Sequence, residues 1–435
     1  MRAWWAAAAL MLLSGSMVAV YWANTRTVVF LVSLDTVRAD RTGCYGYDLA
    51  RTPFLDSLAA GGTMFRNAIT CSSFTSASHA SILTGLYPPR HGVRFLYGFA
   101  EIRLNQRVKT LPEALKERGF VTAAFVSGQS LQSRIYGLNR GFDHWDEEFL
   151  AHEKTPEGSD PAVIRRQRRA DRTLSACLDW LSAQKPYRSF IFIHLFDAHD
   201  SQLVPPKEFV AECQGNSRGE DWLRRYDCEI AWMDSQLKDF FSRARSILGR
   251  PKTLVVVLAD HGQGLGDHGY GRHGGALYQE QLRVPLIMNG AGVPAGLSVD
   301  TFVRTVDVPP TVLDAMGTPP IEGVDGRSLL PVMRKEEHAD RPCYAETLHP
   351  LAKNEDALFA IIKDRRKLIF APQSERTEYY NLTADPREHH NLASRGGYDD
   401  LMAELRKFDL STARPRQERP DVELEEAMRA LGYVD

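Results

Sequence analysis

The chain has 435 residues, 43% of them hydrophobic and 25% charged, enough for one large α/β body with little room for global disorder. Its 53 Lys and Arg stand against 55 Asp and Glu, a formal net charge of -2, so nucleic-acid binding has no electrostatic support at the level of the whole chain. The six cysteines show no paired metal-ligand spacing, and Cys213 and Cys228 can close a surface loop by disulfide in an oxidising compartment.

The N-terminus carries Arg2 and then an uncharged stretch, residues 3–23, before Arg26. As a helix that stretch is about 30 Å long, enough to span a bilayer, and the early Arg fits an N-terminus-inside orientation. Residues 1–24 are therefore expected to be a membrane anchor, with the remainder periplasmic or otherwise extracytoplasmic. A cleaved signal peptide, cut after the small residues Ser14 and Ser16, is the rival reading.

Beyond the anchor, short β-branched runs alternate with helical periodicity. Runs at Thr27–Leu34, 121–127, 189–196, 253–259 and 284–288 read as buried strands, and 111–118 and 225–243 as amphipathic helices. The pattern predicts a doubly wound, mainly parallel sheet flanked by helices. Residues 25–330 form the expected main body. Residues 331–435, more charged and less periodic, form a smaller C-terminal α+β part, with strands at 366–371 and 378–381 and a closing helix at 422–431.

Asp35, Asp197 and Asp260 each follow directly on one of these strand runs, and His199 and His261 stand close behind two of them. Ligands of open parallel sheets bind beyond the carboxyl ends of the strands. Three carboxylates delivered to one rim with His neighbours point to a divalent metal site. His194, inside its strand, reads as core, and Asp267 and His268 as loop residues.

Thr75 begins the stretch TSASHASILTG, followed by LYPPRHGV. This resembles the nucleophile motif of the sulfatase family, C/S-x-P-S-R-x-x-x-L-T-G, with Thr75 at the nucleophile position and His79 where the motif has Arg. SLDTVRADRTGCYGY, beginning at Ser33, is similar to the family's first metal segment, and LADHGQGLGDHG, beginning at Leu258, to the second. GRHGGALYQEQLRVPLI matches the stretch that carries an active-site Lys or His, here His273. The resemblance implies an alkaline phosphatase-like fold, with Asp35, Asp260, His261 and the Thr75 hydroxyl around the metal and 25–330 as the catalytic domain. His199 and His273 are then expected to contact the transferred group, protonate the leaving oxygen or bind a second metal. The ligand set leaves the ion open among Ca²⁺, Mg²⁺, Mn²⁺ and Zn²⁺.

Three departures bear on the substrate. Formylglycine is made from Cys or Ser, so no formylglycine is expected at Thr75. The motif Arg is His79, and the second Asp of the usual pair is Thr36. A Thr nucleophile resembles the phosphodiesterase, phosphonate hydrolase and phosphoethanolamine transferase branches of the superfamily. The expectation is a metal-dependent hydrolase of sulfate or phosphate esters, small-molecule or linked to glycan or lipid, acting through a covalent Thr75 intermediate. The rivals are a phosphoethanolamine-type transferase and a non-catalytic metal-binding relative, and the sequence is silent on oligomeric state.

Overall fold

The structure is a computed structural model that describes residues 26–94, 103–149, 167–199, 203–214, 220–353 and 355–411. The expected anchor and the expected helix at 422–431 lie outside the described residues. Among the described residues no helix is long and apolar enough to cross a membrane.

The main sheet has nine strands. Its parallel centre is β1 (Thr27–Leu34), flanked by β5 (Arg188–Leu195) and β6 (Lys252–Leu258), with β3 (Val121–Val126) and β4 (His144–Asp146) continuing beyond β5. On the other flank β8 (Leu286–Gly290) runs antiparallel to β6, and β2 (Thr63–Ile69) pairs with β8, with β7 (Arg283–Val284) and, in parallel, with β9 (Leu297–Arg304). The single strand expected at 284–288 is thus two short ones, separated by Pro285, which has no N–H for a ladder. β1 is buried along its whole length, as a strand covered on both faces must be.

Side chains alternate along β1, so Phe30 and Leu31 face opposite layers. Phe30 packs edge-on against Phe240 and Phe241 of the long helix Asp221–Leu248. Phe192, which pairs with Leu31, meets His79 of the helix Thr75–Thr84 instead. One helical layer therefore covers each face, and residues with the parity of Leu31, namely Ser33 and Asp35, look towards the helix Thr75–Thr84.

A second antiparallel sheet of four strands follows, β10 (Cys343–Thr347), β11 (Leu358–Lys363), β12 (Arg366–Ala371) and β13 (Arg376–Asn381). It reaches the main body directly: the Glu346 N–H donates to the Cys71 carbonyl at 2.9 Å, next to a β-bridge between Ser72 and Glu346. Cys213 and Cys228 form a disulfide.

Candidate active site

Asp35 leaves the end of β1 with its N–H donating to the Leu195 carbonyl of β5, and Asp260 and His261 follow β6 directly. The site sits where these neighbouring parallel strands end. One ligand atom from each of Asp35, Asp260 and His261 lies within 4.8 Å of the others, and all three residues are buried.

Hydrogen bonds occupy one oxygen of each carboxylate. Asp35 Oδ2 accepts from His194 Nε2 at 2.9 Å, while Oδ1 has no hydrogen bond. Asp260 Oδ1 accepts from the N–H of Thr36 at 3.2 Å and of His261 at 2.8 Å, while Oδ2 has none. His261 Nδ1–H donates to the Gly262 carbonyl at 2.9 Å, which leaves the Nε2 lone pair facing inward. Burial pushes Asp35 up to about 7 against the pull of His261, and pushes Asp260 up with the Asp35 charge adding to it. Two facing carboxylates that cannot comfortably ionise together, each with one orphaned oxygen, fit a cation.

The local backbone supports this arrangement. Thr36 has φ 59°, a left-handed conformation that is strained for a β-branched residue. Its N–H holds Asp260, its hydroxyl donates to the Asp35 carbonyl at 2.7 Å and its own carbonyl accepts from Tyr226 OH at 2.7 Å. Gly262 passes so close to the Glu280 carbonyl that an added Cβ would lie 2.0 Å from it, so no side chain fits behind His261.

Thr75 opens the buried helix Thr75–Thr84, preceded by an extended Phe74 that supplies no side-chain cap. The first-turn N–H groups are thus left to an incoming anion. Thr75 Oγ1 lies 3.1 Å from His261 Nε2. Two serines of this buried helix use their hydroxyls inside: Ser78 Oγ donates to the Asp260 carbonyl at 2.7 Å and lies 2.8 Å from Thr70 Oγ1, and Ser81 Oγ lies 2.8 Å from His91 Nε2.

His79, one turn on, donates from Nδ1 to the Thr75 carbonyl at 2.8 Å and accepts at Nε2 from Ser33 Oγ at 2.8 Å. Burial pushes it down to about 3, so it is neutral and cannot reproduce the cation of the motif's Arg. Both nitrogens are engaged, which makes it a positioning residue. His199 and His273 meet Nε2 to Nε2 at 3.0 Å, and the His273 ring stacks on His261 with centroids 4.2 Å apart. His273 donates from Nδ1 to the Ser73 carbonyl at 3.1 Å, so the shared proton is on His199 Nε2. Burial pushes both well below the usual histidine range.

Asp197, expected as a further ligand, is not part of this group. Both its oxygens accept from the Ala170 N–H at the start of the helix Ala170–Gln184, at 3.2 and 3.0 Å, a helix-capping role that any carboxylate in that loop can fill. Asp267 pairs with Arg38 and His268 with Glu280. His194, read as core, is buried as expected yet holds Asp35. Ser33 and the buried hydroxyls of Ser73 and Ser76, the latter two without hydrogen-bond partners among the described residues, also escaped the sequence reading.

A family model described as Sulfatase matches residues 27–318. The chain belongs to the sulfatase family. A second model, the C-terminal part of N-sulphoglucosamine sulphohydrolase, matches residues 266–414. This sulfatase-family chain is 22% identical to an arylsulfatase of Clostridium perfringens, over 90% of its length and 95% of that protein's. It is similar in fold to a phosphonate monoester hydrolase of Agrobacterium radiobacter (TM-score 0.68, 20% identity, 90% of this chain and 99% of that one). A protein solved with its substrate D-glucosamine-2-N,6-O-disulfate is comparably similar (TM-score 0.67, 20% identity, 94% and 98%). Like other members of its family, the chain is an ester hydrolase, working on sulfate or phosphate esters, and its fold is the mixed sheet flanked by helices, with a small antiparallel C-terminal sheet, that the sequence predicted.

Proposed function

We propose that the protein hydrolyses a sulfate or phosphorus ester in two displacements, with Thr75 as the covalent nucleophile beside one divalent cation. The observation that carries this reading is that one ligand atom of each of Asp35, Asp260 and His261 lies within 4.8 Å of the others, that Asp35 Oδ1 and Asp260 Oδ2 have no hydrogen bond with a described residue, and that Thr75 Oγ1 lies 3.1 Å from His261 Nε2. Asp35 and Asp260 each keep one oxygen without a hydrogen bond, and His261 Nε2 and Thr75 Oγ1 add two further donors. Four one-atom donors including an imidazole suit a small tetrahedral ion such as Zn²⁺ better than Ca²⁺, which takes six to eight oxygens.

A bound cation supplies Lewis acidity, lowering the pKa of the Thr75 hydroxyl and neutralising the oxygens of the transferred group. The chain's own residues do the rest. Thr75 Oγ1 gives its proton to solvent and forms a bond to the sulfur or phosphorus, while the bond to the leaving oxygen breaks and that oxygen keeps the electron pair. The N–H groups at the start of the nucleophile helix hold the oxygens of the transferred group. The neutral His199, whose Nε2–H is held by His273, can hydrogen-bond the leaving oxygen, which takes its proton from water. Water then attacks the sulfur or phosphorus of the Thr75 ester, releasing sulfate or phosphate and restoring the hydroxyl.

Threonine cannot become the aldehyde hydrate by which a formylglycine expels sulfate, and this favours a phosphorus ester on chemical grounds. The sulfated glucosamine named as the substrate of one structural neighbour favours a small molecule or a glycan over a polymer of nucleotides. An N-terminal anchor places the site outside the cytoplasm. The deciding experiment is a chromogenic panel of aryl sulfate, phosphate monoester, phosphodiester and phosphonate with wild type and Thr75→Ala. Turnover lost in the variant supports the reading. Equal rates would overturn it, and dependence on an added acceptor alcohol would indicate a transferase.

A further inference from the structure

The end of the sheet opposite the active site carries a different surface. β1, β5 and β6 begin there, with Arg188 and Lys252 flanking Thr27 in register. The segments that enter these strands are residues 183–188 and 245–253, and neither contains an acidic residue. With Arg26 they bring six cations together: Arg26, Lys185, Arg188, Arg245, Arg250 and Lys252. Hydrogen bonds tie them into one face, because the Arg26 guanidinium donates to the carbonyls of Leu248 (2.8 Å) and Lys185 (3.5 Å), and the Lys252 N–H donates to the Arg26 carbonyl (2.7 Å).

Four of these cations have no carboxylate counterpart: among the described residues no carboxylate pairs with Lys185, Arg188, Arg245 or Arg250, whereas Lys116 and Lys109 at the border of the face are paired with Asp143 and Glu117. Arg188 even lowers the pKa of Lys252 by repulsion, after burial. Between the cations lie apolar groups. Tyr187 is 46% exposed. A cleft of about 950 Å³ has Phe30, Phe54 and Phe241 in its walls and Lys238, Arg245 and Arg250 at its rim. The described chain enters at Arg26, in the middle of this face, and the uncharged run 3–23 stands immediately before it in the sequence.

We infer that this face rests on anionic phospholipid headgroups of the membrane, its cations on phosphates and its aromatic residues at headgroup level. Juxtamembrane cations gain in this way from a negative leaflet, and Tyr is favoured at that depth. The orientation has a functional consequence. Asp35 lies eight residues along a strand from Thr27, which sets the catalytic rim roughly 25 Å further from the bilayer than this face. The site then opens to soluble or glycan-linked esters and away from lipids of the same membrane. The inference rests on the extracytoplasmic, anchored reading above, but its readout is independent of catalysis.

The test uses the full chain in lipid nanodiscs of phosphatidylcholine, with and without phosphatidylglycerol, carrying a nitroxide on the lipid headgroup. A fluorophore is placed on Tyr187→Cys at the proposed face or on Arg387→Cys near the loop of His268, with the unsubstituted protein as the labelling background. At position 187, quenching at least about twofold stronger on anionic than on neutral discs, lost at about 0.5 M salt and in the triple variant Lys185→Glu, Arg245→Glu, Arg250→Glu, supports the inference. Position 387 stays unquenched on both. Retained ester hydrolysis in the triple variant shows that it folds. The inference is overturned by equal quenching on both kinds of disc, by quenching of 387 in place of 187, or by loss of quenching with inorganic phosphate at constant ionic strength, which would mark a soluble-anion site.

Discussion

His194 Nε2 donates to Asp35 Oδ2 at 2.9 Å, from a neighbouring strand and with both side chains fully buried. Burial pushes His194 down to about 4, so it acts as a neutral donor that fixes which oxygen of Asp35 is left over. Partners of this kind typically set metal affinity within ten- to a hundredfold. His194→Phe is expected to weaken Zn²⁺ binding by about that factor, measured by calorimetry. A variant that binds the ion as wild type does would remove His194 from the site.

Stripping the ion should matter for stability as well as rate. Without a cation Asp35 and Asp260 are two neighbouring buried carboxylates, each with one oxygen that has no hydrogen bond. Chelation is expected to abolish turnover and lower Tm. Zn²⁺ or Co²⁺ should restore both, with Ca²⁺ restoring little, and Co²⁺ should give the intense visible bands of a tetrahedral site. Full restoration by Ca²⁺ alone would contradict the four-donor geometry.

Thr75→Ala should reduce kcat by at least about a thousandfold while leaving the metal content near one ion per chain. In wild type, acid quenching during turnover of an activated ester should leave one sulfuryl or phosphoryl group on the peptide containing Thr75, detected by mass spectrometry. A modified peptide elsewhere would reassign the nucleophile.

Asp197 offers a pH test that separates capping from metal binding. Burial pushes it up to about 8, against the Ala170 N–H. Its folded pKa lies above the unfolded value of about 3.9, so between these values the folded state holds the extra proton and stability falls as pH rises. Asp197→Asn removes that loss. Its Tm relative to wild type should therefore be higher at pH 9 than at pH 5, with metal content unchanged. A drop in bound metal would return Asp197 to the ligand set.

Much of the site was legible in the sequence because its key residues sit at strand ends, where hydrophobic periodicity stops and an Asp begins. Asp35, Asp260 and His261 follow from that pattern, and Thr75 from the resemblance of TSASHASILTG to the family motif. What could not be read was register. The alternation within β5 does not say that His194 pairs with Ser33, and only that pairing brings its ring beside Asp35. Asp197 shows the converse: it occupies the same strand-end position, but the helix that starts at Ala170 claims its oxygens, and that helix start lies far from it in sequence. The same limitation hid Ser78, whose bond to the Asp260 carbonyl joins the helix Thr75–Thr84 to the segment after β6.

The bridge from Glu346 to Cys71 and Ser72 makes the last quarter of the polypeptide a structural brace for the turn that presents Thr75. The opposite side of that turn is held by His273 through the Ser73 carbonyl. Chimaeras that exchange C-terminal halves between relatives would therefore disturb the placement of Thr75 itself, unless the incoming half carries its own equivalent of this edge strand.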